Sequence, residues 1–308
     1  MGDPIRTWAG ECSAWECDGL GHMNMRHYMT KVHQARQMFF IHLGLDEAFK
    51  RDSVSSVRVR DFHIKYLGEA RPDNPLYIET GLLELGEDEL RLCHIMYHQD
   101  ERMAATIVEN IEHISLLTQQ KFAWSQRFRS EARAYKVALP DPAKPRGFTY
   151  KTRARAMTES ALIKLGLTAQ GEGVFQPAEI GLDGAATPQV LMGRVTESIG
   201  HFKDGFPEFL DPEYFKSNKS AALLEARIFI NRRVEAGDAF RFYPSVNSAD
   251  KYTRRFAHNI VDVVSGESIA SVLAVSGLFD LSTRKLIHTT PAQLKVLKPN
   301  FTAGLMTG

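Results

Sequence analysis

The chain is short of cysteine, of net charge and of long apolar runs, and each shortage removes a class of protein. Three cysteines in 308 residues (Cys12, Cys17 and Cys93) are too few for a disulfide framework, and the odd count fits a reducing compartment. The formal net charge is +1, which argues against a surface built to hold nucleic acid. No apolar stretch approaches the roughly 20 residues of a membrane-spanning helix. The opening residues, Met-Gly-Asp-Pro-Ile-Arg, lack the apolar centre of a secretion signal, so the cytoplasm is the expected location. Metal-ligand spacing is scarce too. His22, His27 and His33 fall on different faces of a helix, and His94 and His98 share a strand face without a third ligand. No metal and no cofactor is expected. Hydrophobic residues at 44% and charged residues at 24% are ordinary for a globular chain, and the length suits two domains or one large one.

The most informative stretch is Trp15-Glu16-Cys17-Asp18-Gly19-Leu20-Gly21-His22-Met23-Asn24-Met25-Arg26-His27-Tyr28. Asn24 suits a helix N-cap, since its side-chain oxygen can accept a free N–H of the first turn. Beyond it Tyr28, Met29, Val32, Ala35, Phe39 and Leu43 form one apolar stripe at helical spacing, and Gly44 stands where a C-cap glycine belongs. Asp18 is thus placed on a loop just before a helix that begins near Met25. A carboxylate beside free helix N–H groups makes a reaction centre. The helix end can hold an oxyanion, and the acid can serve as base or nucleophile.

Four strand-like segments follow at Ser56–Tyr66, Leu76–Leu85, Glu89–His98 and Met103–Ile114, separated by tight turns that favour antiparallel hairpins. The second half repeats this order, with a helix over Pro188–Phe202 and strands over Ala221–Arg232, Ala239–Val246, Lys251–Val264 and Ser268–Asp280. A slide of about 165 residues sets Asp18 on Asp183 and Asn24 on Gln189. We therefore expect an α+β protein of two tandem copies, over residues 1–140 and 141–308. Between them Gln119–Val137 reads as a polar helix anchored by Phe122, Trp124 and Phe128, and the prolines of Leu139–Gly147 read as linker. Thr152–Leu167 reads as a helix, and Gly171–Gly173 as a flexible entry to the second copy.

The string W-x-C-D-x-x-G-H-x-N-x-x-x-Y and its long helix resemble the hotdog-fold acyl-CoA thioesterases of the 4-hydroxybenzoyl-CoA thioesterase type. The two-copy pattern resembles a fused pair, a double hotdog in which each long helix is wrapped by an antiparallel sheet. The resemblance implies that Asp18 carries the hydrolysis of an acyl-CoA and that the amide near Met25 polarises the carbonyl. It implies coenzyme A as part of the substrate. Met25 departs from the family's commoner second asparagine, which leaves a backbone role intact and removes any side-chain role.

Each remaining residue has two readings. His22 either touches the substrate or water, or fixes the loop. Asn24 is the cap and a candidate to position water. Gly19 and Gly21 give the loop freedom and let a thioester approach, and Tyr28 joins them in the expected substrate-binding set. Glu16 reads as a solvated charge neighbour, and Cys17 as a nucleophile has no flanking signature. Arg254 and Arg255 are the candidate partners of coenzyme A phosphates, against the simpler reading of solvated sheet-edge charges. The alternatives in function are an acyl carrier protein thioesterase, a non-catalytic acyl-CoA-binding protein and an enoyl-CoA hydratase, whose G-D-x-N-P loop does not occur here. Further assembly of the fused pair is expected on symmetry grounds, with no patch singled out.

Overall fold

The computed structural model describes Gly2–Thr307 and separates into two compact units. The first holds the chain up to Lys144 together with Pro177–Gly193. The second holds Pro145–Gln176 and the chain from Arg194 onward. This differs from a single cut after residue 140. The exchanged segment carries the consecutive buried residues Val190, Leu191 and Met192.

In the first unit β1 (Ile5–Glu11) precedes α1 (Met25–His42), and β2 (Ser55–Tyr66), β3 (Pro75–Leu85), β4 (Glu89–His98) and β5 (Met103–Ser115) follow. They form an antiparallel sheet in the order β1-β3-β4-β5-β2. Helix α1 packs on β1 and β3 and buries Tyr28, Met29, Val32, Ala35, Phe39 and Phe40. Gly44 ends it at φ +75°, a conformation that favours glycine. Of the expected helix over 119–137 only α2 (Gln126–Ala132) is α-helical, capped by the Ser125 hydroxyl on Phe128 N at 3.2 Å. Two of its three anchors hold: Trp124 and Phe128 stack on each other at 4.5 Å and both stack on Phe40, while Phe122 is exposed.

The second unit contains β6 (Arg153–Ala154), α3 (Glu159–Lys164) and β7 (Gly171–Val174). Helix α4 (Pro188–Ile199) starts in the first unit and ends in the second. Then come α5 (Pro212–Lys216), β8 (Lys219–Ile230), β9 (Ala239–Tyr243), β10 (Val246–Ala249), β11 (Arg254–Asp262) and β12 (Ser268–Asp280). The sheet order β7-β9-β11-β12-β8 reproduces that of the first unit strand for strand, and β10 adds to β11. The helix expected over Thr152–Leu167 shrinks to α3, whose N-cap is Thr158. The segment read as a flexible entry, Gly171–Gly173, is the edge strand β7, the counterpart of β1. Both copies are hotdogs, each a helix against an antiparallel sheet.

Candidate active site

The loop before α1 is built by its own backbone. Ser13 opens a 3-10 turn over Ala14–Glu16, with its N–H donating to Glu16 Oε2 at 2.9 Å. Cys17 and Met23 then pair across a tight reversal. Asp18 N donates to His22 O and Gly21 N to Asp18 O, both at 3.0 Å, with Gly21 at φ +75°. Two further bonds pin the exit: Met23 N to Ala70 O at 2.7 Å and Asn24 N to Glu16 O at 2.8 Å. Asn24 then caps α1, its side-chain oxygen accepting from Arg26 N at 3.1 Å while its carbonyl accepts from His27 N at 2.9 Å. Neither bond takes the Met25 amide, the first of the helix, which stands at the positive end of the helix dipole.

Asp18 lies at this mouth. Its Oδ1 accepts one backbone bond, from Leu20 N at 2.9 Å, and sits 3.7 Å from His22 Nδ1. Both side chains are partly exposed, Asp18 by 31% and His22 by 23%. An ionised carboxylate has about four lone-pair sites, so one bond leaves capacity for a water or a carbonyl carbon. Gly19 and Gly21 are exposed, with open space where a side chain would stand, so nothing crowds the approach. The structure thus places Asp18, Gly19, Gly21 and His22 in one tight reversal, with Asn24 and the Met25 amide following at the start of α1.

Tyr28 is placed differently. It is buried, with its hydroxyl 3.5 Å from Gly68 O and its ring edge-on to Tyr66 at 5.0 Å. Tyr66 in turn donates to Met25 O at 3.3 Å. The pair braces the first turn of α1 from beneath, and burial pushes the Tyr28 hydroxyl far above its usual range.

Glu16 is the residue that sequence reasoning undervalued. It is buried, and Lys31 Nζ meets its two oxygens at 2.9 and 2.7 Å while also donating to Glu11 O at 2.9 Å. Lys31 is buried as well, lying 4.9 Å from the centre of the Trp8 ring. His27 Nδ1 stands 3.9 Å from Glu16 Oε1, and burial holds the His27 pKa below its usual value although Glu16 pulls the other way. A pair fifteen positions apart leaves no local pattern, so the only signal was the apolar company of Lys31 on α1.

Of the two arginines expected at coenzyme A phosphates, Arg254 is not presented for that task. Arg254 is fully buried. Its guanidinium donates to Glu208 at 2.6 and 2.9 Å and to Gly205 O at 2.8 Å, and it packs over Phe206. It belongs to the core of the second unit, because an arginine in a strand dense with apolar neighbours is retained by pairing rather than by solvent. Arg255 is partly exposed, with Nε on Gly147 O at 2.9 Å and Nη1 on Asp250 at 3.2 Å.

The second copy keeps the loop and changes its residues. Gly181 N donates to Ala185 O, Gly184 N to Gly181 O and Thr187 N to Glu179 O, Ile180 bridges Ala186, and Gly184 has φ +71°. These are the bonds of the first loop in the same order. They set Gly181 on Asp18, Ala185 on His22 and Thr187 on Asn24. Asp183 therefore corresponds to Leu20, not to Asp18, and its Oδ1 accepts from Ala185 N at 3.2 Å. The slide that matched the strands was wrong by two positions at the loop. Among the described residues no group of three His, Cys, Asp or Glu is arranged to hold a metal ion.

Comparison with known proteins adds to this geometry. Residues 12–132 match the model of the Thioesterase-like superfamily. Over 111 residues the chain is 29% identical to the L-carnitine dehydrogenase/betainyl-CoA thioesterase of Agrobacterium fabrum, a match covering 36% of this chain and 23% of that protein. By structure it is similar to the 12:0-ACP thioesterase of Umbellularia californica, with a TM-score of 0.64 at 10% identity over 89% of this chain and 93% of that one. An acyl-ACP thioesterase of Bacteroides thetaiotaomicron is similar with a TM-score of 0.61 at 10% identity, over 87% of this chain and 96% of that one. At such identities the likeness is one of fold, and it extends over both copies. Residues 12–132 are thus similar to the thioesterase-like superfamily, and the fold of the chain is that of a double hotdog.

Proposed function

We propose that the chain hydrolyses an acyl-CoA thioester to the free acid and coenzyme A. One observation carries the reading: Asp18, with one backbone donor and His22 beside it, lies on the loop that leads into the Asn24-capped N-terminus of α1, whose first amide is that of Met25. In this reading Asp18 takes a proton from water as the water oxygen attacks the thioester carbon, or attacks that carbon itself to give an anhydride that water opens. In either route the carbonyl oxygen gains negative charge toward the Met25 amide, and the carbon–sulfur bond breaks to release the thiol. His22 orients the acid or the water, and Gly19 and Gly21 admit the thioester. Arg255 is kept as a phosphate contact because part of its surface is open, and Tyr28 as a brace for the site. No cofactor takes part, and nucleic acid and membrane play no role. The free thiols suit the cytoplasm, and association of the fused pair into larger assemblies accompanies the reading.

The test is thiol release from a panel of short, branched, aromatic and long acyl-CoAs, with wild type and Asp18→Asn side by side. Betainyl-CoA belongs in the panel because a relative acts on it. An acyl carrier protein substrate is the second reading, favoured by fold likeness over both copies. The same acyl group offered on coenzyme A and on carrier protein separates the two.

A further inference from the structure

Cys12 and Cys17 flank the 3-10 turn that leads into the Asp18 loop, and their sulfurs are 3.6 Å apart. Both are thiols here. A disulfide needs about 2.05 Å, so the sulfurs are about 1.5 Å short of bonding. Their settings differ. Cys12 is completely buried and its backbone is tied at both ends to the turn before β3, with N–H to Asn74 O at 3.0 Å and O from Asp73 N at 2.8 Å. Burial pushes its thiol up to about 12, which makes it a poor first nucleophile. Cys17 is half-buried, lies in the reversal itself and is followed directly by Asp18.

We propose that Cys12 and Cys17 form a reversible disulfide that switches the Asp18 loop, with a peroxide or a small-molecule disulfide as oxidant. With hydrogen peroxide, the Cys17 sulfur attacks one oxygen, the O–O bond breaks, and a sulfenic acid and one water result. The Cys12 sulfur then attacks the Cys17 sulfur, the S–O bond breaks, and a second water leaves with the Cys12 proton. Two thiols have lost two electrons and two protons, and the peroxide has gained them as two waters. Cys12 is anchored to the turn before β3, so the movement falls on Cys17. Both sulfurs lie against Ser13 O, Cys12 Sγ at 3.9 Å and Cys17 Sγ at 3.7 Å, so closing the bond shifts Cys17 within that cluster and carries the neighbouring Asp18 with it. A displacement of about 1 Å at a reacting group costs on the order of 100-fold in rate. Cys93 lies on β4, far along the chain, and has no sulfur partner among the described residues.

The experiment treats the whole chain with hydrogen peroxide, and separately with glutathione disulfide, and reads two quantities. The first is the mass of the tryptic peptide Thr7–Arg26, which contains both cysteines. It should fall by about 2 Da and be restored by dithiothreitol. Cys12→Ala and Cys17→Ser should each abolish that loss, and Cys93→Ser should leave it intact. The second is acyl-CoA hydrolysis, which rests on the proposed function and should fall by on the order of 100-fold in the oxidised chain and recover with reductant. Oxidation of Cys17 to a sulfinic acid, or a lasting glutathione adduct, without the 2 Da loss would overturn the pairing. A disulfide that forms while turnover stays unchanged would overturn the switch. Should the reduced chain hydrolyse no acyl-CoA, the thioesterase reading fails while the peptide mass still decides the disulfide.

Discussion

Asp18 and Arg254 are both charged residues singled out from a one-dimensional pattern, and their surroundings send them to opposite tasks. Asp18 accepts one bond, from Leu20 N, has His22 beside it, and part of its surface meets solvent. Arg254 is closed inside the second unit against Glu208. The motif around Asp18 is local, so its loop, cap and helix start could be read from adjacent letters. The Arg254–Glu208 and Glu16–Lys31 pairs join positions distant in sequence, and no spacing rule reaches them. The buried arginine leads to a prediction that a phosphate contact would not make. Arg254→Ala leaves Glu208 as an uncompensated charge in the core and should cost about 3–5 kcal/mol of stability. Thermal unfolding should show that loss, with KM for acyl-CoA unchanged in the folded fraction. A raised KM at unchanged melting temperature would return Arg254 to the substrate.

At the scale of elements, α1 and β2–β5 were legible because each has a strong period and a clean stop, and the same holds for β8, β11 and β12, whereas the strand expected over Ala239–Val246 ends at Tyr243 and β10 begins at Val246. The edge strands β1 and β7 were not foreseen. One is short of apolar alternation and the other is half glycine, so both owe their form to the strand beside them. What ties α1 to its sheet was equally hidden. Arg36 on α1 donates to both oxygens of Glu109 on β5, at 2.7 and 2.9 Å. His94 on β4 meets Glu109 at 3.2 Å and Thr80 on β3 at 2.8 Å, and Thr80 meets Thr7 on β1 at 2.7 Å. Burial alone would raise the pKa of Glu109, but the Arg36 charge and the His94 contact overcome it and hold the carboxyl down at about 2. A depressed acid stabilises the fold above its unfolded value of about 4.5, and that contribution is lost as pH falls toward about 2. Urea unfolding followed between pH 6 and pH 2.5 (roughly the range of that linkage) should show a falling midpoint in wild type. Glu109→Gln should start lower at neutral pH and lose less on acidification. Parallel curves for the two proteins would mean that Glu109 does not carry the acid dependence.

For the whole molecule, duplication is the organising fact: two sheets with one strand order, two helices preceded by one loop conformation, and an acid at the Asp18 place in the first loop where the second has Gly181. The repeat was visible in the sequence, but its register at the loop was not. Strand periodicity survives a shift of two, whereas the identity of a single loop residue does not. With Gly181 and Ala185 at the places of Asp18 and His22, the account predicts one hydrolytic site per chain. Asp183→Asn should therefore keep wild-type kcat and KM, and a large loss of kcat there would place chemistry in the second copy. The central claim concerns the first copy. It is tested most directly by thiol release from the acyl-CoA panel with wild type and Asp18→Asn, each first shown to be folded. The account predicts turnover of at least one acyl-CoA by wild type and a loss in kcat of on the order of 100- to 10,000-fold in Asp18→Asn, with substrate binding nearly unchanged. Equal turnover by the two proteins would contradict it.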